Sequence, residues 1–177
     1  MAAYAALTCR VLLIGVFAVA AGSKLVRHGF AEFEVSTGRL LPVRWSGWRR
    51  PSAVGVLAGE VATVGLLVWS VTAPVGFGLA LGLSLAFAAG IGAALRRKER
   101  APCRCFGVSA APLGRTHLAR NAAVGAAAVA GLALTSLVPQ GAGHPAGVVL
   151  AVLVGAVLAA LVVRMDDLVA LFAPLPT

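Results

Sequence analysis

Two of the three cysteines stand one residue apart, as Cys103-Arg104-Cys105, in a polar stretch bounded by Pro102 and Gly107. The thiolate is the reactive form of cysteine, and nearby cations lower a thiol's pKa. Arg104 lies between the pair and Arg100 precedes it. A helix is expected to start soon afterwards, and its positive N-terminal end adds to the effect. A disulfide across one residue closes a very small ring, and strained, exposed disulfides are the labile, catalytic ones. The spacing therefore suits thiol–disulfide exchange by Cys103 and Cys105. Two other readings compete. Zinc needs about four ligands, and only His117 is close in sequence, so no metal site is expected. The pair could also be two inert thiols, because C-x-C arises by accident.

Four further side chains stand where charge or amide groups are costly. Glu60 falls about eight residues into an apolar run, roughly 12 Å from its end at 1.5 Å per residue. A carboxyl group at that depth costs a few kcal/mol, so it should face protein or water and have a partner. Its functional readings are a proton relay or contact with a quinone; its structural reading is a protonated or paired glutamate that fixes helix packing. Lys24 ends the first apolar run, where it can snorkel with no function at all. Arg120 and Asn121 open a later run directly after the cysteine segment. Arg120 could neutralise a thiolate or anchor a lipid phosphate, and Asn121 could tie down loop carbonyls. His28, His117 and His144 show no metal spacing among themselves. Cys9 is a poor lipobox cysteine, because no apolar region comes before it.

The elements that must hold these residues are membrane helices. Sixty per cent of the 177 residues are apolar and 12% are charged, against about 45–50% and 25% in soluble domains. A chain of this size cannot hide so much apolar surface in water, and disorder needs the opposite composition. Five stretches are long enough to cross a bilayer: 5–26, 52–71, 75–95, 118–138 and 147–163. Each approaches the roughly 20 helical residues that a crossing requires. The first lacks a basic leader and carries Arg10 near its start, so it reads as a retained helix rather than a signal peptide. The expected fold is an all-α integral membrane protein, a bundle of four to five transmembrane helices. Gly55/Gly59 and Gly78/Gly82 are GxxxG pairs that would let helices approach closely.

The net charge of +9 would suggest nucleic acid in a soluble chain, but its placement points to the membrane. Segment 27–50, with Trp45, Trp48 and four arginines beyond Arg27 (Arg39, Arg44, Arg49 and Arg50), reads as an interfacial stretch. With five crossings, 14 of the 15 basic residues fall on one side and only Arg10 on the other. Lys/Arg excess marks the cytoplasmic face. The expected topology is N-terminus outside, with the C-x-C loop and C-terminus cytoplasmic, in a bacterial plasma membrane. Membrane lipids are partners on this reading, and nucleic acid is not.

The order of motifs resembles a known family. The first run ends Gly22-Ser23-Lys24-Leu25, then comes Gly38-Arg39-Leu40-Leu41-Pro42, then the intramembrane Glu60. Cys103-Arg104-Cys105-Phe106-Gly107 follows, and His117-Leu118-Ala119-Arg120-Asn121 opens the fourth run. This is similar to the MauE family of methylamine-utilisation membrane proteins, related to the DoxX-like redox-associated proteins. The resemblance divides the chain into a MauE-like domain, 1–138, and an additional C-terminal helix with a short tail, 139–177. It carries the family's C-x-C to Cys103 and Cys105, its glutamate to Glu60 and its Arg-Asn to Arg120 and Asn121. Many members have Gly between the cysteines where this chain has Arg104.

The resemblance implies a membrane component that aids disulfide formation or redox maturation of a partner; with the C-x-C pair, the expectation is a thiol–disulfide oxidoreductase with a thioredoxin-like or other thiol partner and a quinone as candidate electron acceptor. One tension follows. Maturation of an exported enzyme needs thiol chemistry outside, while the charge bias puts the cysteines inside. Either the loop dips into the bilayer or the direct partner is a cytosolic thiol carrier. The alternative to redox chemistry is a non-catalytic scaffold or assembly subunit that docks a partner through its basic loop, around Arg96–Arg100.

Overall fold

A computed structural model describes residues 1–26, 28–40, 47–97, 114–137 and 144–171. These form seven helices: α1 (Ala2–Leu25), α2 (Gly29–Leu40), α3 (Arg49–Val68), α4 (Ala73–Arg96), α5 (Arg115–Leu137), α6 (Pro145–Val163) and α7 (Met165–Leu171). Five of them, α1, α3, α4, α5 and α6, are long and apolar enough to cross a membrane. The protein is an all-α membrane protein. Hydrocarbon offers no partner for a backbone N–H or C=O, so a run of this composition must satisfy its own peptide groups as a helix.

The helix ends show local causes. α6 starts with Pro145 in its first turn, where a missing N–H costs nothing. His144 caps it, with Nδ1 accepting from the Ala146 N–H at 3.3 Å. α3 begins at Arg49 rather than at the expected 52, because Pro51 is tolerated inside the first turn as well as before it. It ends at Val68, not 71. Arg10 donates from Nε and Nη2 to the carbonyls of Leu67 and Val68, and the Thr72 hydroxyl donates to that of Leu66 at 2.7 Å. The cation at the negative end of α3 satisfies carbonyls that have no helical partner.

Neighbouring spans run in alternating directions. Leu67 of α3 meets Gly76 of α4, Phe77 of α4 meets Gly131 of α5, and Arg120 near the start of α5 reaches Val163 at the end of α6. α1 and α6 consequently run parallel. Tyr4 lies against Gly147, Thr8 and Val11 against Gly155, and Gly15 against Ala159. The Thr8 hydroxyl also donates to the Ala151 carbonyl at 3.3 Å. Gly147, Ala151, Gly155 and Ala159 thus form a stripe of small residues every fourth position, along which the two backbones approach closely. A Cβ at Gly155 would lie 2.8 Å from the Thr8 carbonyl oxygen. The glycine pairs picked out by spacing serve this purpose poorly. Gly55, Gly78 and Gly82 have nothing within 4 Å of a Cβ position, and only Gly59 has a neighbour, Leu83.

The core is built around α1. Leu13, Val16, Phe17 and Ala20 are buried against Phe77, Ala80 and Ile91 of α4 and Val124 and Ala128 of α5. Part of the segment expected to lie at the interface forms α2, which folds back on the bundle. The chain leaves α1 through a tight turn, with His28 at φ 68 and the Gly29 N–H donating to the Val26 carbonyl at 2.9 Å. A Cβ at Gly29 would stand 2.1 Å from the Ser23 carbonyl oxygen, so the turn demands glycine. α2 then buries Phe33, Ser36 and Thr37, while Glu34 pairs with Arg49 at 3.2 Å on the exposed side.

Candidate functional site

All but one of the described cations gather at the end of the bundle where α1 and α4 finish and α3 and α5 begin; Arg10 is the exception. Two buried ion pairs stand toward this end. In the first, Lys24 Nζ lies 2.7 Å from Glu60 Oε1, with both side chains essentially inaccessible. Helical Cα–Cβ bonds tilt toward the N-terminus, so a lysine at the end of α1 aims back into the bundle. Nζ also donates to the Ala20 carbonyl, one turn earlier, at 3.1 Å, and sits 4.4 Å from the centre of the Phe33 ring. The snorkelling expected of Lys24 does not occur, because α2 lies across the route to the interface. Glu60 has the partner that its depth requires, while its Oε2 has no hydrogen-bond donor among the described residues.

The second pair lies at the start of α5. His117, Arg120 and Asn121 are spaced i, i+3 and i+4, which puts them on one helical face, and all three are buried. The Asn121 amide donates from Nδ2 to the His117 carbonyl at 2.8 Å. Asn121 Oδ1 is buried with no donor among the described residues. Arg120 is 2% exposed, too enclosed for the lipid-phosphate anchor that its position first suggested. Its Nη2 lies 2.8 Å from Asp166 Oδ2 and 3.4 Å from the Val163 carbonyl oxygen. Asp166 Oδ1 stands 3.6 Å from Nδ1 of His117. The carboxylate comes from α7, where the chain turns at Arg164 and re-enters a helix at Met165. A buried guanidinium without a counter-charge would be strongly destabilising, and Asp166 supplies that charge.

The structure therefore joins Lys24 to Glu60, and places Arg120 beside Asn121 on α5. Cys103, Arg104 and Cys105 lie outside the described residues. Cys9, the remaining cysteine, is a half-buried free thiol packed against the core. A cleft of about 160 Å³ opens between α2, α3 and α4, lined mainly by Val56, Leu83, Ala86 and Phe87, with Thr37 and Ser52 as its hydroxyl groups. Among the described residues no group of three or more metal-ligating side chains occurs.

Asp166, Phe33 and the capping role of Arg10 escaped the sequence reading. A signal for Asp166 existed: the chain has six acidic residues, and one that directly follows an apolar span is a natural counter-ion for an arginine that opens another. Nothing in the spacing marks Phe33, because its contact depends on how α2 folds back.

No curated protein and no solved structure matches the chain. A family model described as "Methylamine utilisation protein MauE" matches residues 2–134, about three quarters of the sequence. That segment includes both members of the first ion pair and the whole His117–Asn121 face, and it stops before α6 and α7. The chain belongs to the MauE family.

Proposed function

We propose that this chain is a membrane-embedded thiol–disulfide redox protein in which Cys103 and Cys105 serve the disulfide formation or redox maturation of a partner protein. Methylamine utilisation, the setting in the family's description, is the pathway we assign. The supporting observation is the face of α5: within two turns of the segment that carries the cysteines, the helix buries an arginine, an asparagine and a histidine. A membrane helix does not carry such groups as filler.

In the proposed reaction, a thiolate of the partner attacks one sulfur of the Cys103–Cys105 disulfide and expels the other as a thiolate. The partner's second thiolate then attacks the mixed disulfide. The partner leaves oxidised, and Cys103 and Cys105 remain as two thiols. A membrane quinone is the acceptor class that restores the disulfide, taking two electrons and two protons to become the quinol. Arg120 favours the thiolate form of the leaving cysteine. Asn121 is the neighbouring buried polar group, and its Oδ1 has no donor among the described residues. In the proposed orientation the N-terminus is outside and the cysteine segment is cytoplasmic.

A Cys105→Ser variant should trap a mixed disulfide at Cys103 with a thioredoxin-like partner, and Cys103→Ser should trap it at Cys105. If neither variant captures a thiol partner and the wild-type pair never oxidises, the reading is wrong. Labelling of Cys103 and Cys105 by a membrane-impermeant maleimide only after cell lysis supports the orientation; labelling of intact cells reverses it.

A further inference from the structure

The cleft between α2, α3 and α4 contains a hydroxyl that the fold does not satisfy. Thr37 lines it and is 8% exposed, and its Oγ1 has no hydrogen-bond partner among the described residues. Thr8, Thr63 and Thr135, in the spans, each donate to the carbonyl one turn earlier. Thr37 does not, so its hydroxyl is left for a group inside the cleft; buried polar atoms otherwise find partners. Ser52, in the first turn of α3, adds a half-buried hydroxyl beside the same space. The larger wall residues, Val56, Leu83 and Phe87, are apolar. Ala86 is exposed on a spanning helix, so that rim of the cleft faces lipid.

We propose that this cleft binds the head ring of a membrane quinone. Its volume of about 160 Å³ matches the roughly 150 Å³ of an apolar cavity that takes a benzene ring. Phe87 offers an aromatic surface for the ring, and the Thr37 hydroxyl donates to a quinone carbonyl. The isoprenoid tail leaves past Ala86 into the bilayer. An acyl chain would fill the same volume and leave the buried Thr37 hydroxyl unpaired, which is unfavourable. The choice of a quinone among carbonyl-bearing rings rests on the redox reading above. The site itself is built wholly from described residues of α2, α3 and α4 and requires no position for the cysteines.

The test uses the full-length protein in phosphatidylcholine nanodiscs and an azidobenzoquinone with a decyl tail. Photolabel should map by mass spectrometry to the peptides that carry Val56 and Leu83–Phe87, and unlabelled decyl benzoquinone should compete. Thr37→Val keeps the shape, removes the hydroxyl and should weaken binding about fivefold, as expected for one neutral hydrogen bond. Thr37→Ser should bind as the wild type does. Ala86→Trp fills the open rim and should abolish labelling; because Ala86 is exposed, this variant keeps the test usable if Thr37→Val folds poorly. Labelling elsewhere, or wild-type affinity in both Thr37→Val and Ala86→Trp, overturns the site. Equal competition by decylbenzene, which lacks the carbonyls, overturns the quinone as its ligand. Labelling of the cleft without quinone-dependent oxidation of Cys103 and Cys105 supports the binding site and overturns the acceptor role in the thiol reading, so the two fail separately.

Discussion

The two buried ion pairs are alike in chemistry and different in setting. Lys24–Glu60 joins α1 to α3, lies wholly inside the family segment, and is covered by the ring of Phe33. Arg120–Asp166 joins α5 to α7, straddles the end of that segment, and shares its carboxylate with a histidine. The first has the features of a lock: two groups that satisfy each other's charge, in a place that fixes the register of two spans. The second is a cluster in which one acid faces two basic side chains, on a helix that directly follows the cysteine segment. The two pairs thus differ in the number of their partners and in the chain that adjoins them, not in the burial of their charges.

Removing one half of the lock should have the largest effect. Glu60→Ala leaves a buried ammonium group without its carboxylate and should destabilise the protein by about 3–5 kcal/mol, seen as a large loss of thermal stability in detergent. Lys24→Met/Glu60→Met should recover most of that loss and leave thiol reactivity unchanged. A double variant that is stable but has altered thiol reactivity would show that the two pairs are not separate in role.

The next effect separates the pairs from the other side. Gly155→Leu forces a side chain against Thr8 and Val11 and should cost about 1–3 kcal/mol by overpacking. It should also loosen the Arg120–Asp166 pair, because displacing α6 displaces α7. Trypsin should cleave at Arg164 sooner in this variant, while the Lys24–Glu60 region keeps its protection.

Smaller effects refine the picture. Phe33→Leu keeps apolar cover over Lys24 but removes the ring face, and should cost about 0.5–2 kcal/mol with no change in thiol reactivity. Arg164→Ala breaks only the exposed i, i+3 pair with Asp167, and should alter stability by at most about 0.5 kcal/mol.

The spans were readable because a bilayer imposes both a length and a composition on any helix that crosses it. Their ends were not, since Pro51 fits within a first turn as well as before it, and Arg10 ends α3 from another helix. Glu60 was identifiable as a group in need of a partner, and Lys24 as a residue of interest. Their union was hidden because they are 36 residues apart and meet only through the register of α1 on α3. Lys24 looked free to reach the interface for a related reason: the segment that covers it carries tryptophans and arginines, and α2 emerges only when Phe33, Ser36 and Thr37 find α3. Arg120 and Asn121 were legible as polar groups opening a membrane span, and both are buried there. The partner of Arg120 lay in the short polar tail beyond the last span, where no periodicity marks a seven-residue helix.

The parallel seating of α6 on α1 has a consequence for biogenesis. A chain emerging from the ribosome folds from its N-terminus, and α1 enters the membrane first. Its contact partners at Tyr4, Thr8, Val11 and Gly15 are made more than a hundred residues later. Until α6 arrives, that flank of α1 is held by lipid alone, and Arg120 has not yet met Asp166. That side of the bundle thus closes only when α6 has been made, and the counter-charge of Arg120 follows it on α7.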